Sequence, residues 1–330
     1  MIRREQVLRA VKDPRLAGRA VLRRIKGRIK GRPPTPSPAA PRQAPRPLSE
    51  MDRSRCLICG SPNLKVYDIE RPTRHYDVRI CRRCRYVSNA DNTVNYTKFK
   101  SVDKFALTPR VGTADHPGRE FHMAKMGSEI LRRKPLSVMV FGAGRSLDYQ
   151  HIAKLPSVNK VVMSDVVDLR GEADFINITK GTNQRFDLII ACEVVEHFTD
   201  PKTEFRRLFD LLTPDGLLVC STNIYDGGHP DLHSYLFLRG HVSYYSPRSI
   251  RVIARQSNMQ FDFRMPKFGR ALFSKRKRYI LFSHSMTNLR KAAEYFGSHA
   301  YAPAETPWPQ AAADGNGAVA TALTDPSGTT

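Results

Sequence analysis

The sequence lacks long apolar runs and is poor in acidic residues. No hydrophobic stretch approaches the 18 residues that a membrane-spanning helix needs, so no transmembrane segment is predicted. The chain starts Met-Ile-Arg-Arg-Glu, without the apolar stretch of a secretory signal. We therefore expect a cytoplasmic protein, with attachment to a membrane surface as the open alternative.

The shortage of acids leaves a large positive charge. Asp and Glu number 31 against 54 Lys and Arg, which gives a net charge of +23. Residues 1–50 hold 14 of the basic residues and only 3 acids, and residues 33–47 include seven prolines. Residues 1–53 are therefore predicted to be a disordered basic arm and linker. Such an arm favours an anionic partner, either a lipid surface, a nucleic acid or an acidic glycan, and a purely solubilising tail is the alternative.

Cysteine is also scarce, and its spacing is informative. Four of the six cysteines form two pairs, Cys56 with Cys59 and Cys81 with Cys84, each with two intervening residues. Without a secretory signal this spacing favours a metal over disulfides. Four thiolates satisfy tetrahedral Zn²⁺ and leave no open position, so the metal would be structural. Residues 54–90 are predicted to form a small zinc-binding module.

A glycine motif follows the first strongly apolar segment. Residues 136–141 read as a buried strand and are followed by Gly142 and Gly144, and a second apolar run ends in Asp165. Glycines let the backbone turn tightly beside a ligand, and an acid at the next strand end can accept the hydroxyls of a ribose. The motif has no third glycine, which argues against a dinucleotide. It predicts a nucleoside cofactor.

Strands and helices alternate through residues 116–285, with buried strands expected over 136–141 and 186–191 and a helix over 145–155. Asp200 and Ser246, each followed by a proline, are expected to cap two helices, and Asp215-Gly216 is expected to form a turn. The pattern predicts an α/β domain with a Rossmann-like, mostly parallel seven-stranded sheet and helices on both faces, preceded by the zinc-ribbon module. Its last two strands have no helix between them and are expected to be antiparallel neighbours. Residues 91–115 are interpreted as a connecting lid. Residues 286–330 are interpreted as a largely disordered C-terminal tail.

Three further segments carry a family resemblance. Residues 185–201 and 212–222 resemble the fourth and fifth strand regions of class I S-adenosylmethionine-dependent methyltransferases, and residues 241–250 resemble a histidine-plus-aromatic segment that many of them carry. The zinc module ahead of such a domain is similar to that of sugar C-methyltransferases and polysaccharide-modifying methyltransferases. The resemblance covers roughly residues 54–285. The chain departs from the family's Asp-x-Gly-x-Gly-x-Gly pattern, since it has Val140 in place of the acid and Ser146 in place of the last glycine.

The resemblance implies S-adenosylmethionine as cofactor and assigns residues to it. Gly142 and Gly144 would pass under the methionine moiety, and Asp165 would accept the ribose hydroxyls. Asp174 would lie near the adenine amino group. Cys192 and Glu193 would line the pocket near the methyl donor.

Transfer to a hydroxyl or an acidic carbon calls for a general base. The candidates are His241, His197 and Glu193, with Glu196 as a further one. The expected function is methyl transfer to a sugar or glycan-related small molecule. An RNA methyltransferase that binds nucleic acid through the zinc module and the basic arm is the main alternative. A catalytically inactive cofactor-binding module is another, and an NAD-dependent dehydrogenase is a distant one.

Overall fold

A computed structural model describes residues 53–72, 74–105, 110–171, 174–266 and 276–297. Nearly all of the predicted basic arm and the end of the predicted C-terminal tail lie outside these ranges. Within them, no helix is both long and apolar enough to pass through a bilayer.

Eleven strands and five α-helices are present in the described part of the chain. The strands are β1 (Leu64–Arg71), β2 (Arg74–Cys81), β3 (Val87–Asn89), β4 (Leu136–Phe141), β5 (Val158–Asp165), β6 (Phe175–Asn177), β7 (Phe186–Cys192), β8 (Leu212–Asn223), β9 (Ser243–Tyr244), β10 (Gln260–Arg264) and β11 (Lys277–Ser283). The helices are α1 (Arg119–Leu131), α2 (Asp148–Ile152), α3 (Pro201–Asp210), α4 (Pro247–Gln256) and α5 (Met286–Tyr295).

Seven strands form the central sheet, in the order β10-β11-β8-β7-β4-β5-β6. Strand β11 is antiparallel to both of its neighbours, β8 and β10, and all other pairs are parallel. The predicted α/β fold with a mostly parallel seven-stranded sheet is therefore confirmed, including its antiparallel last pair.

The central strands read as continuous apolar runs because both of their faces are buried. In β4, Val138 and Val140 belong to one hydrophobic cluster, and Met139 and Phe141 belong to another. Helices α1 and α5 contribute to the first cluster, and α3 and α4 contribute to the second. Alternate side chains thus enter two cores on opposite faces of the sheet.

Two helix starts agree with the sequence pattern. Asp200 caps α3 by accepting the N–H of Thr203 at 3.3 Å, and Pro201 occupies the first turn. Ser246 caps α4 in a reciprocal arrangement with Ser249.

Two other predicted boundaries are wrong. The helix expected over residues 145–155 is limited to α2, because the glycine loop continues to Leu147, whose N–H donates to the carbonyl of Gly112 at 3.0 Å. The turn expected at Asp215-Gly216 lies inside β8. Phe186 pairs with Leu212 and Leu188 pairs with Leu217, so the extra residues form a bulge that keeps the strand continuous.

A second sheet has the order β1-β2-β3-β9. Strands β1 to β3 come from the cysteine module, whereas β9 comes from residues far along the chain, just after His241. The N–H of Asn89 donates to the carbonyl of Val242 at 2.9 Å beside this pairing. The module is therefore hydrogen-bonded to the segment that carries His241.

Asp187 is expected to stabilise the amino-terminal edge of the central sheet. One carboxylate oxygen accepts from the guanidinium of Arg133 at 2.8 Å and the Thr213 hydroxyl at 3.2 Å, and the other accepts the Ser137 N–H at 2.9 Å. The variant Asp187→Ala leaves these donors without their acceptor, and we expect it to lower the free energy of unfolding by about 1–3 kcal/mol in urea titrations. The exposed Asp210→Ala is the control. Equal stability of the two variants would contradict this role.

Candidate functional site

A cleft lies beside the carboxyl ends of β4 and β5. Here the order of the parallel strands reverses, because β4 has β5 on one side and β7 on the other. Crevices at such reversal points are the usual ligand sites of open α/β sheets. Its lining includes Phe105, Ala143, Gly144, Ser164, Asp165 and Phe175.

The glycine loop after β4 has the conformation that its sequence predicts. Gly142 has φ of +68°, and a Cβ atom placed there would lie 2.6 Å from a methyl group of Val194. Gly144 has φ of +54°. The guanidinium of Arg170 donates to the carbonyls of Gly144 at 2.8 Å and Ser146 at 3.1 Å. Both glycines are therefore needed for the backbone path, and Arg170 fixes it.

Asp165 ends β5 inside the cleft. One of its carboxylate oxygens accepts the N–H of Val166 at 2.7 Å. Burial raises the pKa of Asp165 to about 6, despite that hydrogen bond. The carboxylate thus ionises close to neutral pH and lies where a ligand hydroxyl would reach it.

Two other residues that the family resemblance assigns to the cofactor, Asp174 and Cys192, do not line this cleft. Asp174 is exposed, and its neighbour Phe175 lines the cleft instead. Cys192 is buried at the end of β7, does not line this cleft, and accepts a hydrogen bond from the Ser221 hydroxyl at 3.4 Å. Burial raises the pKa of its thiol well above the usual value, so Cys192 is an uncharged core residue.

Five side chains form a second polar group, which we call the acid–histidine cluster; its members are Glu193, Glu196, His197, Tyr235 and His241. The first three follow β7, where residues 195–197 form a short 3₁₀ turn. Tyr235 and His241 come from the segment between β8 and β9. The hydrogen bond from the Val242 N–H to the Glu196 carbonyl, at 2.9 Å, brings the two segments together.

Glu193 is compensated by two cations. It forms an ion pair with the ammonium of Lys277, lies 4.0 Å from the guanidinium of Arg119, and accepts from the Ser221 hydroxyl at 2.6 Å. Burial alone would raise its pKa, but Lys277 and Arg119 outweigh burial and hold the pKa of Glu193 below its usual range. Glu193 is therefore an ionised, neutralised side chain and a poor candidate for a base.

The pKa of Glu196 is shifted in the opposite direction. It is fully buried, and burial together with the charge of Glu193 raises its pKa to about 7. The Tyr235 hydroxyl donates to Oε1 of Glu196. Among the residues that the structure describes, Oε2 has no hydrogen-bond partner.

The two histidines lie edge to face, with ring centroids 4.9 Å apart. Nδ1 of His197 lies 2.8 Å from the carbonyl of Gly240 and 2.9 Å from the Tyr96 hydroxyl. A carbonyl only accepts, so this network assigns the proton to Nδ1 and the lone pair to Nε2. Burial lowers the pKa of His197 and lowers that of His241 to about 3, so both rings are neutral at pH 7.

Tyr96 connects the acid–histidine cluster to the cleft. Its ring stacks on Phe105, with centroids 6.0 Å apart, and Phe105 lines the cleft. Both residues come from the segment 91–115, which was predicted to act as a lid. The described part of that segment thus contacts both groups of polar residues.

The four paired cysteines converge at the edge of the second sheet. The Sγ atoms of Cys56 and Cys84 lie 3.5 Å apart, those of Cys59 and Cys81 lie 3.6 Å apart, and all four lie within 4.8 Å of one another. Tetrahedral ligands about 2.3 Å from a zinc ion would lie about 3.8 Å apart. The set has the composition and spacing of a structural Zn²⁺ site.

Sequence reasoning did not find Lys277, Tyr235, Tyr96 or Arg119. Each lies in a segment without a motif, and each becomes informative only through the partner that the fold brings to it. The motif around Glu193 was found, but nothing in the sequence distinguished the environments of Glu193 and Glu196.

Comparison with known proteins agrees with the geometry. Residues 119–261 match the model of a family described as a methyltransferase domain. The matched residues run from α1 to the start of β10, which is less than half of the chain.

The similar curated proteins match over short stretches. A malonyl-[acyl-carrier protein] O-methyltransferase of Bacteroides helcogenes is 38% identical over 79 residues, 24% of this chain and 26% of that protein. A ubiquinone biosynthesis O-methyltransferase of Cereibacter sphaeroides is 31% identical over 100 residues, 30% of this chain and 34% of that protein. The chain thus spans only about a quarter to a third of the length of these relatives.

Similar solved structures are more distant in sequence. One is the 1,6-didemethyltoxoflavin-N1-methyltransferase of Burkholderia thailandensis with bound 1,6-didemethyltoxoflavin and S-adenosylhomocysteine (19% identity, 48% of this chain, 74% of that chain, TM-score 0.36). Another is an S-adenosylmethionine-dependent methyltransferase from Clostridium acetobutylicum (10% identity, 49% of this chain, 89% of that chain, TM-score 0.37).

The ion pair between Lys277 and Glu193 is expected to be needed for stability. The variant Lys277→Met leaves the largely buried carboxylate of Glu193 with weaker compensation, and we expect it to lower the free energy of unfolding at pH 7 by about 3–5 kcal/mol. Since the pKa of Glu193 is depressed in the folded state, the pair stabilises above the unfolded-state pKa, and the deficit should shrink as acidification protonates Glu193.

The double variant Glu193→Gln/Lys277→Met is the matched control. It removes both charges, and we expect it to be more stable than Lys277→Met alone in the same denaturant titrations. A double variant that is less stable than either single variant would show that the two side chains do not act as a pair.

Proposed function

We propose that this chain transfers a methyl group from S-adenosylmethionine to a hydroxyl oxygen of a small-molecule acceptor, of the sugar or glycan-related class. The observation that carries the proposal is the cleft beside β4 and β5, whose lining includes Asp165 and the positive-φ Gly144 of the glycine loop. The match to the methyltransferase-domain family supports it.

The residues around the cleft fit the cofactor. Gly142 and Gly144 would pass under the methionine moiety, where side chains would obstruct the backbone approach. Asp165 would accept the ribose hydroxyls, for which an ionised carboxylate is the stronger acceptor. Phe105 and Phe175 would provide apolar walls. Asp174 has no role in this proposal because it is exposed.

The acid–histidine cluster would receive the acceptor. The cofactor supplies a methyl group already activated by the positive charge on sulfur, so the protein must align the acceptor oxygen and exclude water. His197 and His241 are the proposed catalytic residues, because their neutral rings present nitrogen lone pairs to a hydroxyl group. Glu193 would hold Lys277 and Arg119 in place and would not touch the acceptor.

The acceptor class is supported by the polarity of the cluster and by the similar curated proteins, which are named as O-methyltransferases. Carboxylate, imidazole and phenol groups lie together there, which suits a hydroxylated molecule better than an apolar one. The four cysteines would hold a structural Zn²⁺ that keeps the second sheet, and with it the His241 segment, in place.

Calorimetric titration with S-adenosylmethionine tests the cofactor site. We expect Asp165→Ala to weaken binding about tenfold to hundredfold, the cost of losing hydrogen bonds to a charged acceptor. Because the pKa of Asp165 is raised to about 6, wild-type affinity should fall as the pH drops through that value, and the affinity of Asp165→Ala should not.

Asp174→Ala, a change at an exposed acid outside the cleft, is the matched control and should bind like wild type. No heat with wild-type protein would refute the cofactor assignment. Formation of S-adenosylhomocysteine with a panel of hydroxylated sugars then tests the transfer. Binding without turnover on any acceptor would indicate an inactive cofactor-binding module, and turnover on RNA alone would replace the acceptor class.

Metal analysis tests the cysteine site. We expect one equivalent of zinc in the purified protein, and its loss in Cys81→Ser, because three thiolates and a hydroxyl form a weaker site. The thermal midpoint of Cys81→Ser should fall, since metal binding is coupled to folding of the module. Cys220→Ala, a buried cysteine outside the set, should retain the metal. Wild-type protein that is folded and free of metal would contradict the site.

A further inference from the structure

Three side chains of the acid–histidine cluster bring possible metal-ligand atoms together in one small region. Among the described residues, Oε2 of Glu196 and Nδ1 of His241 are buried without a hydrogen-bond partner. Ligand atoms of Glu196, His197 and His241 lie within 4.8 Å of one another. Buried polar atoms without partners are rare in folded proteins and indicate an unfilled role.

We propose that Glu196, His197 and His241 bind a divalent cation that is separate from the cysteine-bound zinc. The use of this ion to hold the acceptor oxygen rests on the proposed function, whereas its binding does not. Two imidazole nitrogens and one carboxylate oxygen suit Mn²⁺, Fe²⁺, Co²⁺ or Zn²⁺. Three protein ligands leave coordination positions open for a water molecule or for a hydroxyl group.

Two of the three side chains, those of His197 and Glu196, are held by a hydrogen bond of their other polar atom, and the His241 ring is held by packing. Nδ1 of His197 donates to the Gly240 carbonyl, which leaves Nε2 free to ligate. The His241 ring packs edge to face against the ring of Tyr235, with centroids 4.3 Å apart, and its Nδ1 has no hydrogen-bond partner among the described residues. Oε1 of Glu196 accepts from the Tyr235 hydroxyl. Metal ligands typically have such outer hydrogen bonds, which fix the tautomer and the ring orientation.

The arrangement needs only a small contraction to close around an ion. Ligand atoms about 2.1 Å from a metal lie about 3.0–3.4 Å from one another, so each must move by an ångström or so. We expect rotation about the side-chain torsions to supply this shift.

The surrounding charges limit the affinity. Glu193 is already paired with Lys277, so it is not a ligand, and Glu196 supplies the only uncompensated carboxylate of the set. We therefore expect dissociation constants in the micromolar to near-millimolar range. With the ion bound, the lone pairs of His197 and His241 would ligate it and would no longer contact the acceptor, and the ion itself would make the acceptor hydroxyl more acidic. Its proton would leave to water, the oxygen would bond to the methyl carbon, and the carbon–sulfur electron pair would remain on S-adenosylhomocysteine.

Binding of Mn²⁺ to the full-length, zinc-loaded protein tests the site without reference to activity. Mn²⁺ is a poor ion for thiolates, so it leaves the cysteine site undisturbed. The loss of the free-ion electron paramagnetic resonance signal should report one bound Mn²⁺ per chain. Co²⁺, whose binding is followed by visible absorption, should compete with Mn²⁺ for the same site.

Two substitutions and one control locate the ion. Glu196→Gln and His241→Ala should each weaken Mn²⁺ binding at least tenfold, and the exposed His116→Ala should bind like wild type. Circular dichroism and the calorimetric affinity for S-adenosylmethionine show whether the variants are folded. Absence of binding for both Mn²⁺ and Co²⁺, or equal binding in all variants, would overturn the proposal.

The outcomes also separate the ion from the proposed function. Wild-type protein that transfers methyl groups but binds neither Mn²⁺ nor Co²⁺ would overturn the cation site and leave the function intact. A bound ion lost in both variants, without turnover on any acceptor, would support the site and refute the activity.

Discussion

The backbone of Val242 determines where the polar side chains of this protein meet. Its N–H donates to the carbonyl of Glu196, and its carbonyl accepts the N–H of Asn89, each at 2.9 Å. Val242 is buried, so losing either bond would leave a buried group unsatisfied, at a cost of about 1–3 kcal/mol. These two bonds attach the turn after β7, the His241 segment and the cysteine module to one another.

The cysteine module and the residues that directly follow it support the His241 segment at several further points. The side chain of Asn92 donates to the carbonyls of Leu238 at 2.5 Å and His241 at 3.2 Å, and the Tyr86 hydroxyl lies 2.6 Å from that of Ser243. Side-chain positions at a functional site are precise only when the surrounding shell is rigid. The module therefore contributes to the site by fixing the segment that carries Tyr235 and His241, although its four cysteines are not part of the acid–histidine cluster.

Much of the fold followed from the sequence because the sheet is buried on both faces. The apolar runs at 136–141 and 186–191 had no alternative to a central strand, and the caps at Asp200 and Ser246 marked two helices. Strand β9 was not predictable, since two residues show no periodicity. The Asp215-Gly216 pair predicted a turn, but the pairing of β8 with β7 places these residues in a bulge within β8.

The site was predictable only in part, for a related physical reason. Gly142, Gly144 and Asp165 follow strand ends, and parallel strands bring such ends to one edge, so their common location could be inferred. The meeting of His197 with His241, and of Glu193 with Lys277, joins positions that lie far apart in the sequence. Their contact depends on tertiary packing that leaves no local signal.

The contrast between Glu193 and Glu196 has a consequence for the proposed chemistry. A sulfonium loses its positive charge as the methyl group leaves, so an uncompensated carboxylate beside it would stabilise the reactant more than the transition state. Lys277 and Arg119 neutralise Glu193. Glu196 instead accepts a hydrogen bond from the Tyr235 hydroxyl and lies beside the two histidines. The negative charge that remains in the cluster thus lies with the groups proposed to handle the acceptor, where it favours the step that removes a proton from oxygen.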